Sequence, residues 1–314
     1  MAELTNTFSW SHSRAKMFRE CLRRYYWNYY GSWNGWRQVA PEEARLAYRL
    51  KHLATLPMWA GGVVHRVIEN ALRAIRAGQN PALEALREEA RLWLNEGWAQ
   101  SLRKEWQRDP KRKVNLFEHY YGAGAAISKE RRGELREHVF GCVGRFFESQ
   151  ARALLLREGP QRWLALEDLQ SFDLIGVPVW VKLDAAVREG DGAAIIDWKT
   201  GARSDDDPAQ IHTYALYAMT RWRFHCGQIA ARVIYLREGA EERIVPEAAA
   251  VIDHRETIMA SIEKMRSLLA DPAANEASLD SFPMCDDRAK CARCNFKQLC
   301  LGKEEGICQR QEKG

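Results

Sequence analysis

The chain has 314 residues, of which 46% are hydrophobic and 28% are charged, and its formal net charge is +5. This length can bury a large core and fits one elaborated domain or two small ones. No apolar run approaches the roughly 20 residues of a membrane-spanning helix. The N-terminal residues also lack the pattern of a secretion signal, so a cytoplasmic protein is expected.

Positive charge is unevenly distributed along the chain. Residues 14–51 contain nine Lys or Arg against three acids, and residues 288–300 contain four and no acid. Such patches suit a polyanionic partner such as DNA, although a solvated helix face explains each patch taken singly.

The N-terminal segment predicts a helix that polar residues at 9–13 can cap. Its apolar stripe, at helical spacing, is formed by Phe18, Cys21, Leu22, Tyr25 and Tyr26. Residues 25–36 are rich in aromatic side chains, which either stack on unpaired bases or pack in the core.

A second helix is predicted over residues 57–78, where His65 and Glu69 share a face because they lie four positions apart. Taken alone, a histidine in this setting is more often a hydrogen-bonded core residue than a metal ligand. Residues 81–158 predict charged helices that are interrupted by irregular structure over 103–127. The sequence of this helical insertion gives little indication of catalytic or binding residues.

A β-hairpin is predicted in the middle of the chain. A strand over 177–187 and a buried strand over 193–199 flank a glycine-containing turn at 189–192. Pairing of the two strands brings Asp184 alongside Asp197.

Two acids and a lysine therefore converge at one end of this hairpin. Asp197 and Lys199 lie two positions apart on a strand and point to the same side. Burying such charges is costly unless they have partners or a task. Acids that hold a divalent cation, beside a lysine that orients a water, are what metal-assisted phosphodiester hydrolysis needs.

The following segment predicts a helix through about residue 226, with Gln210, Tyr214 and Tyr217 on one stripe. Further strands over 229–236 and 243–245 complete a mixed sheet. A helix over 249–269 covers this sheet.

The C-terminal tail holds five of the eight cysteines within 24 residues. They are Cys285, Cys291, Cys294, Cys300 and Cys308. In a chain without a secretion signal, this density favours metal binding over disulfides. Only one C-x₂-C pair is present, so the two-pair spacing of a zinc ribbon fits poorly.

Asp184, the sequence Asp197-Trp198-Lys199-Thr200-Gly201 and the later Gln210 and Tyr214 resemble the PD-(D/E)XK nuclease core in its RecB-like branch. That branch commonly carries D…(D/E)-x-K-T-G followed by Q-x-x-x-Y. The resemblance implies an α/β restriction-endonuclease-like core, with a central mixed β-sheet flanked by helices. It also implies a large helical N-terminal half with an insertion, and an iron–sulfur-binding tail.

The resemblance also implies a metal site. In the RecB-like branch a G-x-x-H-x-x-(I/L)-E helix donates its histidine to the metal, and residues 62–69 are similar. The implied ligands of Mg²⁺ or Mn²⁺ are His65, Asp184, Asp197 and the Trp198 carbonyl. Lys199 would position the attacking water, and Gln210 and Tyr214 would position substrate. Glu167 lies where relatives often have an acid near the site, although a solvent-facing acid is equally consistent.

The cysteine spacing resembles the iron–sulfur tail of AddB-type and CRISPR-associated RecB-like nucleases. It implies a [4Fe–4S] cluster held by Cys21, Cys291, Cys294 and Cys300. Cys285 or Cys308 could replace one ligand, and zinc or free thiols are the alternatives. Residues 13–25 also resemble the opening of such nucleases, except that Leu22 stands where relatives often have proline.

A cluster of this kind would tie the two ends of the chain together. It would also gather basic side chains from both ends into a DNA-backbone surface. The predicted DNA contacts are Arg23, Arg24, Arg293 and Lys297, with Arg14, Lys16, Arg19, Arg288 and Lys290 nearby.

Four segments are expected. Residues 1–56 supply one cluster cysteine, and residues 57–162 contain the histidine helix and the insertion. Residues 163–270 form the nuclease core, and residues 271–314 form the cysteine-rich tail.

The predicted function is metal-dependent DNA cleavage, by an exonuclease or a nuclease acting on flaps or single-stranded ends, in repair, recombination, CRISPR adaptation or anti-phage defence. An alternative is a DNA-binding or scaffold subunit that works with a helicase or integrase, since no G-x-x-x-x-G-K-(S/T) motif is present. A third hypothesis is an iron–sulfur redox sensor.

Overall fold

A computed structural model describes residues 4–122 and 127–306 of the chain. The N-terminal half contains mainly helices, with three short strands. In chain order its elements are β1 (Trp10–Ser11), α1 (His12–Glu20), α2 (Leu22–Tyr26), α3 (Glu42–Lys51), β2 (Leu53–Ala54), α4 (Leu56–Arg76), α5 (Leu83–Leu102), β3 (Asn115–Leu116), α6 (Phe117–Tyr121), α7 (Lys129–Glu148) and α8 (Gln150–Arg157).

The second half contains most of the sheet residues. Its elements are β4 (Trp163–Leu166), β5 (Leu169–Leu174), β6 (Val177–Lys182), β7 (Ala185–Glu189), β8 (Gly192–Lys199), α9 (Asp207–Tyr217), β9 (Ile229–Tyr235), β10 (Ala240–Ile244), α10 (Ala248–Arg266), α11 (Arg288–Ala292) and α12 (Lys297–Gly306). No helix in the described part of the chain is both long enough and apolar enough to cross a membrane.

The predicted helices form, with changes at their ends. Ser11 caps α1 by accepting a hydrogen bond from the Arg14 N–H, but the helix stops at Cys21, whose backbone is extended. The single helix predicted through residue 26 is therefore two. Thr55 caps α4 in the same way, through the Met58 N–H.

Two further segments differ from the sequence prediction. The helix expected through residue 226 continues past α9 only as a π-helical turn, Ala218–Trp222, and ends at left-handed Arg223. The segment expected to be irregular contains the short elements β3 and α6.

The central sheet has five strands in the order β10-β9-β8-β7-β4. Strands β8 and β9 are parallel, and the other neighbours are antiparallel. A second sheet, in the order β1-β6-β5, lies beside it. The predicted mixed α/β architecture is confirmed, but the strand predicted over 177–187 is divided. Its first part is β6 in the smaller sheet, and its second part is β7 in the central sheet.

Strand β8 is buried on both faces, as expected for the middle of a covered sheet. Ile195 belongs to a core shared with α9 and α10, whereas Ile196 and Trp198 belong to a core shared with α4 and α7. The Trp198 ring meets the edge of Phe146, with their centroids 5.0 Å apart. Helices therefore cover both faces of the sheet, and the polar end of β8 lies between them.

Candidate functional site

Two acidic residues lie where the chain passes between the two sheets. Glu167 follows β4 and precedes β5, and Asp184 follows β6 and precedes β7. The Glu167 N–H donates to the carbonyls of Leu183 and Asp184, at 3.0 and 3.1 Å. The two crossings are therefore held together, and both acids are buried.

Glu167 has a left-handed backbone, with φ of 53°. This conformation is uncommon for residues other than Gly, Asn and Asp, and such strain concentrates at functional sites. Its carboxylate pairs with Lys182, with Oε2 and Nζ 2.5 Å apart. The alternative of a solvent-facing acid at this position is wrong.

The hairpin of β7 and β8 brings Asp184 to Asp197 as predicted. Ala185 pairs with Ile196, so the residues that precede and follow them are adjacent. The Trp198 N–H donates to Asp184 Oδ2 at 2.8 Å. The backbone of β8 therefore fixes the carboxylate beside Asp197.

His65 reaches this pair of acids from α4. Its Nδ1 lies 3.7 Å from Asp184 Oδ1. One ligand atom from each of His65, Glu167 and Asp184 lies within 4.8 Å of the others, a spacing that can hold a metal ion. We call these three residues with Asp197 the acid cluster.

A glycine allows α4 to approach β8. A Cβ at Gly61 would lie 2.7 Å from Thr200 Oγ1, closer than real contacts permit. A larger residue at position 61 would therefore push apart the helix that carries His65 and the strand end that carries Lys199.

Lys199 lies in a chain of polar contacts at the end of β8. Its Nζ is 2.8 Å from Asp197 Oδ2 and donates a hydrogen bond to Gln210 Oε1. Gln210 Nε2 donates to the Tyr214 hydroxyl, which in turn donates to Asp197 Oδ1 at 3.3 Å. Asp207 Oδ1 lies 3.7 Å from the same ammonium group. The residues predicted from the β8 strand and from the following helix thus form one network.

The protonation behaviour of the acid cluster follows from burial and like charge. Burial first, and then the charges of Asp197 and Glu167, raise the pKa of Asp184 well above its ordinary value. Burial also lowers the pKa of His65, which favours the neutral imidazole that binds metals. Burial and the neighbouring Asp197 raise the pKa of Tyr214. A divalent cation would offset this repulsion among the acids.

Two buried carboxylate oxygens of the acid cluster test whether a metal fits. Glu167 Oε1 accepts no hydrogen bond among the described residues. Asp197 Oδ2 also accepts none, but it is ion-paired with the Lys199 ammonium at 2.8 Å. Carboxylate oxygens beside a neutral imidazole are suitable ligands for Mg²⁺ or Mn²⁺.

Three other residues lie near this region or share a helix with it. Lys182 was not predicted, although a strand residue two positions before Asp184 shares its side of the chain. Glu69 pairs with Arg73 on the same helix, with 2.7 Å between their charged atoms, instead of with the acid cluster. Tyr217, on the same helical stripe as Gln210 and Tyr214, lies in the core.

The cysteines of the two chain ends line one cavity of about 450 Å³. Its wall contains Cys21, Cys285, Cys291, Cys294 and Cys300. Burial is the main cause that raises the pKa of Cys285 to about 11 and that of Cys300 to about 12. Cys308 lies outside the described residues. Cys142 and Cys226 are buried elsewhere.

The tail reaches this position by packing on the N-terminal half. Phe296 lies in a core cluster with Leu50 and Leu53. Asn295 Nδ2 donates to the Leu53 carbonyl at 2.9 Å, and the Tyr121 hydroxyl donates to the Asn295 carbonyl at 2.6 Å.

The predicted DNA-contacting residues have several partners. Arg23 donates to the Phe282 carbonyl, and Arg24 pairs with Glu20. Arg293 and Lys297 line the cysteine cavity.

Arg14, predicted to lie at the same surface, is instead buried. Its guanidinium donates to the hydroxyls of Tyr25 and Tyr30 and lies 4.2 Å from the centre of the Tyr29 ring. This part of the aromatic segment is therefore core, with Arg14 at its centre.

Comparison with known proteins supplies the family. A model of the PD-(D/E)XK nuclease superfamily matches residues 9–301. None of the curated proteins matches the chain. The match spans nearly the whole chain and includes the acid cluster, Lys199 and the tail cysteines up to Cys300. The chain belongs to the PD-(D/E)XK nuclease superfamily.

Proposed function

We propose that this protein is a Mg²⁺- or Mn²⁺-dependent deoxyribonuclease that processes single-stranded ends or flaps. Members of its superfamily are typically metal-dependent nucleases, and such a nuclease would act on DNA. The observation that carries the proposal is the acid cluster, in which ligand atoms of His65, Glu167 and Asp184 lie within 4.8 Å of one another and Asp197 is paired with Lys199.

His65, Asp184 and Asp197 would hold the metal, together with the Trp198 carbonyl. The position of Glu167 supports adding its carboxylate to this set. A bound divalent ion supplies Lewis acidity at the attacked phosphate and offsets charge in the transition state. The Trp198 N–H holds Asp184 in place through its hydrogen bond, so the carboxylate needs little reorganisation.

Lys199 would hold the attacking water and face the phosphate. Asp197 and Gln210 fix its ammonium group from two sides. Tyr214 is buried and connects Gln210 to Asp197, so it would act by positioning and not by proton transfer. This arrangement places one positive charge near the metal ligands, where negative charge develops during hydrolysis.

The cysteine cavity supports a [4Fe–4S] cluster held by Cys21, Cys291, Cys294 and Cys300. Cysteines from both ends of the chain lie in the wall of this one cavity, and Cys285 in the same wall would be the substitute ligand. Zinc is the alternative group for these thiols.

The role of this cluster would be structural. It would link residue 21 to residue 300 and hold α1, α2 and the tail against the sheets. Arg23, Arg24, Arg293 and Lys297 would then present positive charge to a DNA backbone beside the cluster. A charge-reversed Arg23/Arg24 variant should bind DNA more weakly, and wild-type binding should fall steeply with salt.

The test is anaerobic purification followed by two measurements on one sample. An absorbance spectrum with iron and sulfide analysis identifies the cluster. A digestion assay on single-stranded, flap and blunt duplex DNA, with Mg²⁺, Mn²⁺ or EDTA, tests the nuclease. A DNA-binding scaffold would bind these substrates but leave them intact under every condition.

A further inference from the structure

A second cavity lies in the helical insertion, apart from the acid cluster and the cysteine cavity. It encloses about 680 Å³ between α5, β3, α6 and α7, which is within the range of ligand sites. We call it the insertion cavity. The sequence assigned no chemistry to this region.

The insertion cavity contains a buried amide without partners. Asn115 is 2% exposed, and neither its Oδ1 nor its Nδ2 has a hydrogen-bond partner among the described residues. Buried polar groups are normally satisfied, so this amide is suited to a ligand. It offers a donor and an acceptor side by side, as in the pairing of Asn with the edge of a nucleobase.

Aromatic rings form part of the wall. Trp106 and Tyr120 have ring centroids 5.5 Å apart, and Trp98 packs against His119 at 4.7 Å. Trp106 is buried, whereas the half-buried Trp98 and Tyr120 keep ring surface on which an unpaired base can stack, and stacking tolerates every base.

Three cations complete the wall, namely Arg49, Lys104 and Arg132. None of them pairs with an acidic side chain in the described parts of the chain. The Glu118 carboxylate in the same wall accepts the Leu56 N–H, at 3.0 and 3.1 Å, and so caps α4. The local charge therefore favours a phosphate group.

A second cleft, of about 430 Å³, adjoins the insertion cavity. It shares Trp98 and Arg132 with the cavity and also includes Trp59. Trp59 lies on α4, the helix that carries His65.

We propose that the insertion cavity binds an unpaired nucleotide, its base against Asn115 and the aromatic rings and its phosphate against Lys104 and Arg132. This inference rests on the proposed function, because the strand it holds is the one that the acid cluster cuts. The nucleotide belongs to a single strand or is a free nucleotide of the same chemistry.

The experiment measures DNA binding in EDTA, so that cleavage plays no part. Fluorescence anisotropy follows a labelled 12-nucleotide single strand with the full-length protein. The variant Lys104→Glu/Arg132→Glu is compared with Arg103→Glu/Arg131→Glu. The control variant changes the residues adjacent in sequence and alters the net charge by the same amount. Neither of its residues lines the insertion cavity or the neighbouring cleft.

We expect about ten-fold weaker binding for the cavity variant and less than about two-fold for the control, as loss of direct contacts requires. Equal loss in both would overturn the proposal, since general charge attraction would then explain it. Thermal melting verifies that both variants are folded.

A second arm tests the base. Wild-type protein should bind a base-bearing strand about ten-fold more tightly than an abasic strand of equal length. Asn115→Leu should reduce this difference, because the amide is lost while the aromatic rings remain. Competition by dAMP at low concentration would identify a free nucleotide as the source, and competition only by oligonucleotides would identify a strand.

Equal affinity of the wild type for base-bearing and abasic strands would refute the nucleotide subsite. A separate digestion with Mg²⁺ or Mn²⁺ tests the nuclease. The binding assay in EDTA therefore tests the nucleotide subsite, and the digestion tests the nuclease, so either proposal can fail while the other stands.

Discussion

The acid cluster and the cysteine cavity both join residues that are far apart in sequence, but they hold their side chains differently. Asp184 and Asp197 are fixed by a backbone N–H and by the Tyr214 hydroxyl, at the end of a buried strand. In the cysteine cavity, the described thiols contact nearby backbone groups of the tail itself. Cys294 Sγ accepts the Phe296 N–H at 3.4 Å, and Cys291 Sγ lies 4.0 Å from the Cys285 carbonyl.

Because of this difference, we expect the acid cluster to govern cleavage and the cysteine cavity to govern stability. The acid cluster lies in a frame that packing and backbone hydrogen bonds maintain, so its repulsion is tolerated without a ligand. The cysteine cavity lies between short helices and the N-terminal half, so a bound group would supply much of its order. Variants in the acid cluster should change cleavage more than folding, and cysteine variants should change folding first.

The largest expected effect is that of Asp184→Asn. It removes one charged metal ligand but keeps an oxygen for the Trp198 N–H. Loss of several kcal/mol of metal-derived stabilisation corresponds to a drop in cleavage of about 10³-fold or more. The thermal shift that Mg²⁺ or Mn²⁺ gives to the wild type should also disappear. Wild-type cleavage in this variant would refute the site assignment.

The same variant gives a pH prediction for the metal-free protein. Because the pKa of Asp184 is raised in the folded state, its contribution to the free energy of unfolding is fully present below the unfolded value. It is lost as the pH rises through the raised pKa. In EDTA, the melting temperature of Asp184→Asn should therefore gain on that of the wild type as pH rises over this window. A constant difference between the two would contradict the burial and repulsion inferred at Asp184.

Lys199→Ala should separate metal binding from the chemical step. Cleavage should fall by about 10²- to 10³-fold, as for loss of one group that stabilises developing charge. The metal-induced thermal shift should persist, because Lys199 is not a ligand. If the metal shift disappeared with the activity, Lys199 would be organising the acid cluster instead of acting on the water.

Cys294→Ala should change the other region. Loss of the cluster opens a very long loop, which corresponds to about 3–5 kcal/mol in the chain-entropy model and a fall in melting temperature of about 10 °C. Iron content and the visible absorbance should be lost as well. The matched control is Cys142→Ala, a buried cysteine in α7, which should lose some stability but retain iron.

The sequence predicted that Asp184, Asp197 and Lys199 lie together because the determinants of these three positions are local. Two strands with a short glycine-containing turn place Asp184 opposite Asp197, and the alternation of side chains along β8 adds Lys199. The helical spacing of Gln210 and Tyr214 was equally direct, since residues four apart share a face. These side chains meet in one hydrogen-bonded network.

Other features depend on tertiary structure that no local pattern contains. The break between β6 and β7 falls inside a continuous apolar run, and only the divergence of the two sheets explains it. Arg14 is buried because aromatic rings from α2 and the following turn surround its guanidinium, which its sequence neighbours do not reveal. The insertion cavity combines residues from four elements, so neither its rings nor its orphaned amide formed a recognisable motif.

The smallest expected effect concerns the approach of α4 to β8, and two adjacent glycines provide a matched pair. A Cβ at Gly62 would meet nothing within 4 Å, whereas one at Gly61 would lie 2.7 Å from Thr200 Oγ1. Gly62→Ala should therefore stabilise the protein by about 0.5–1 kcal/mol through helix propensity. In Gly61→Ala, the close contact between the new Cβ and Thr200 Oγ1 should cancel this stabilisation. Cleavage should also fall a few-fold, because His65 shifts away from Asp184. Adding Thr200→Ala to Gly61→Ala removes the hydroxyl and should restore the stability of the Gly62 variant. Equal melting temperatures for the two single variants would mean that Thr200 rotates freely, and that the glycine does not set the distance between the histidine helix and the strand.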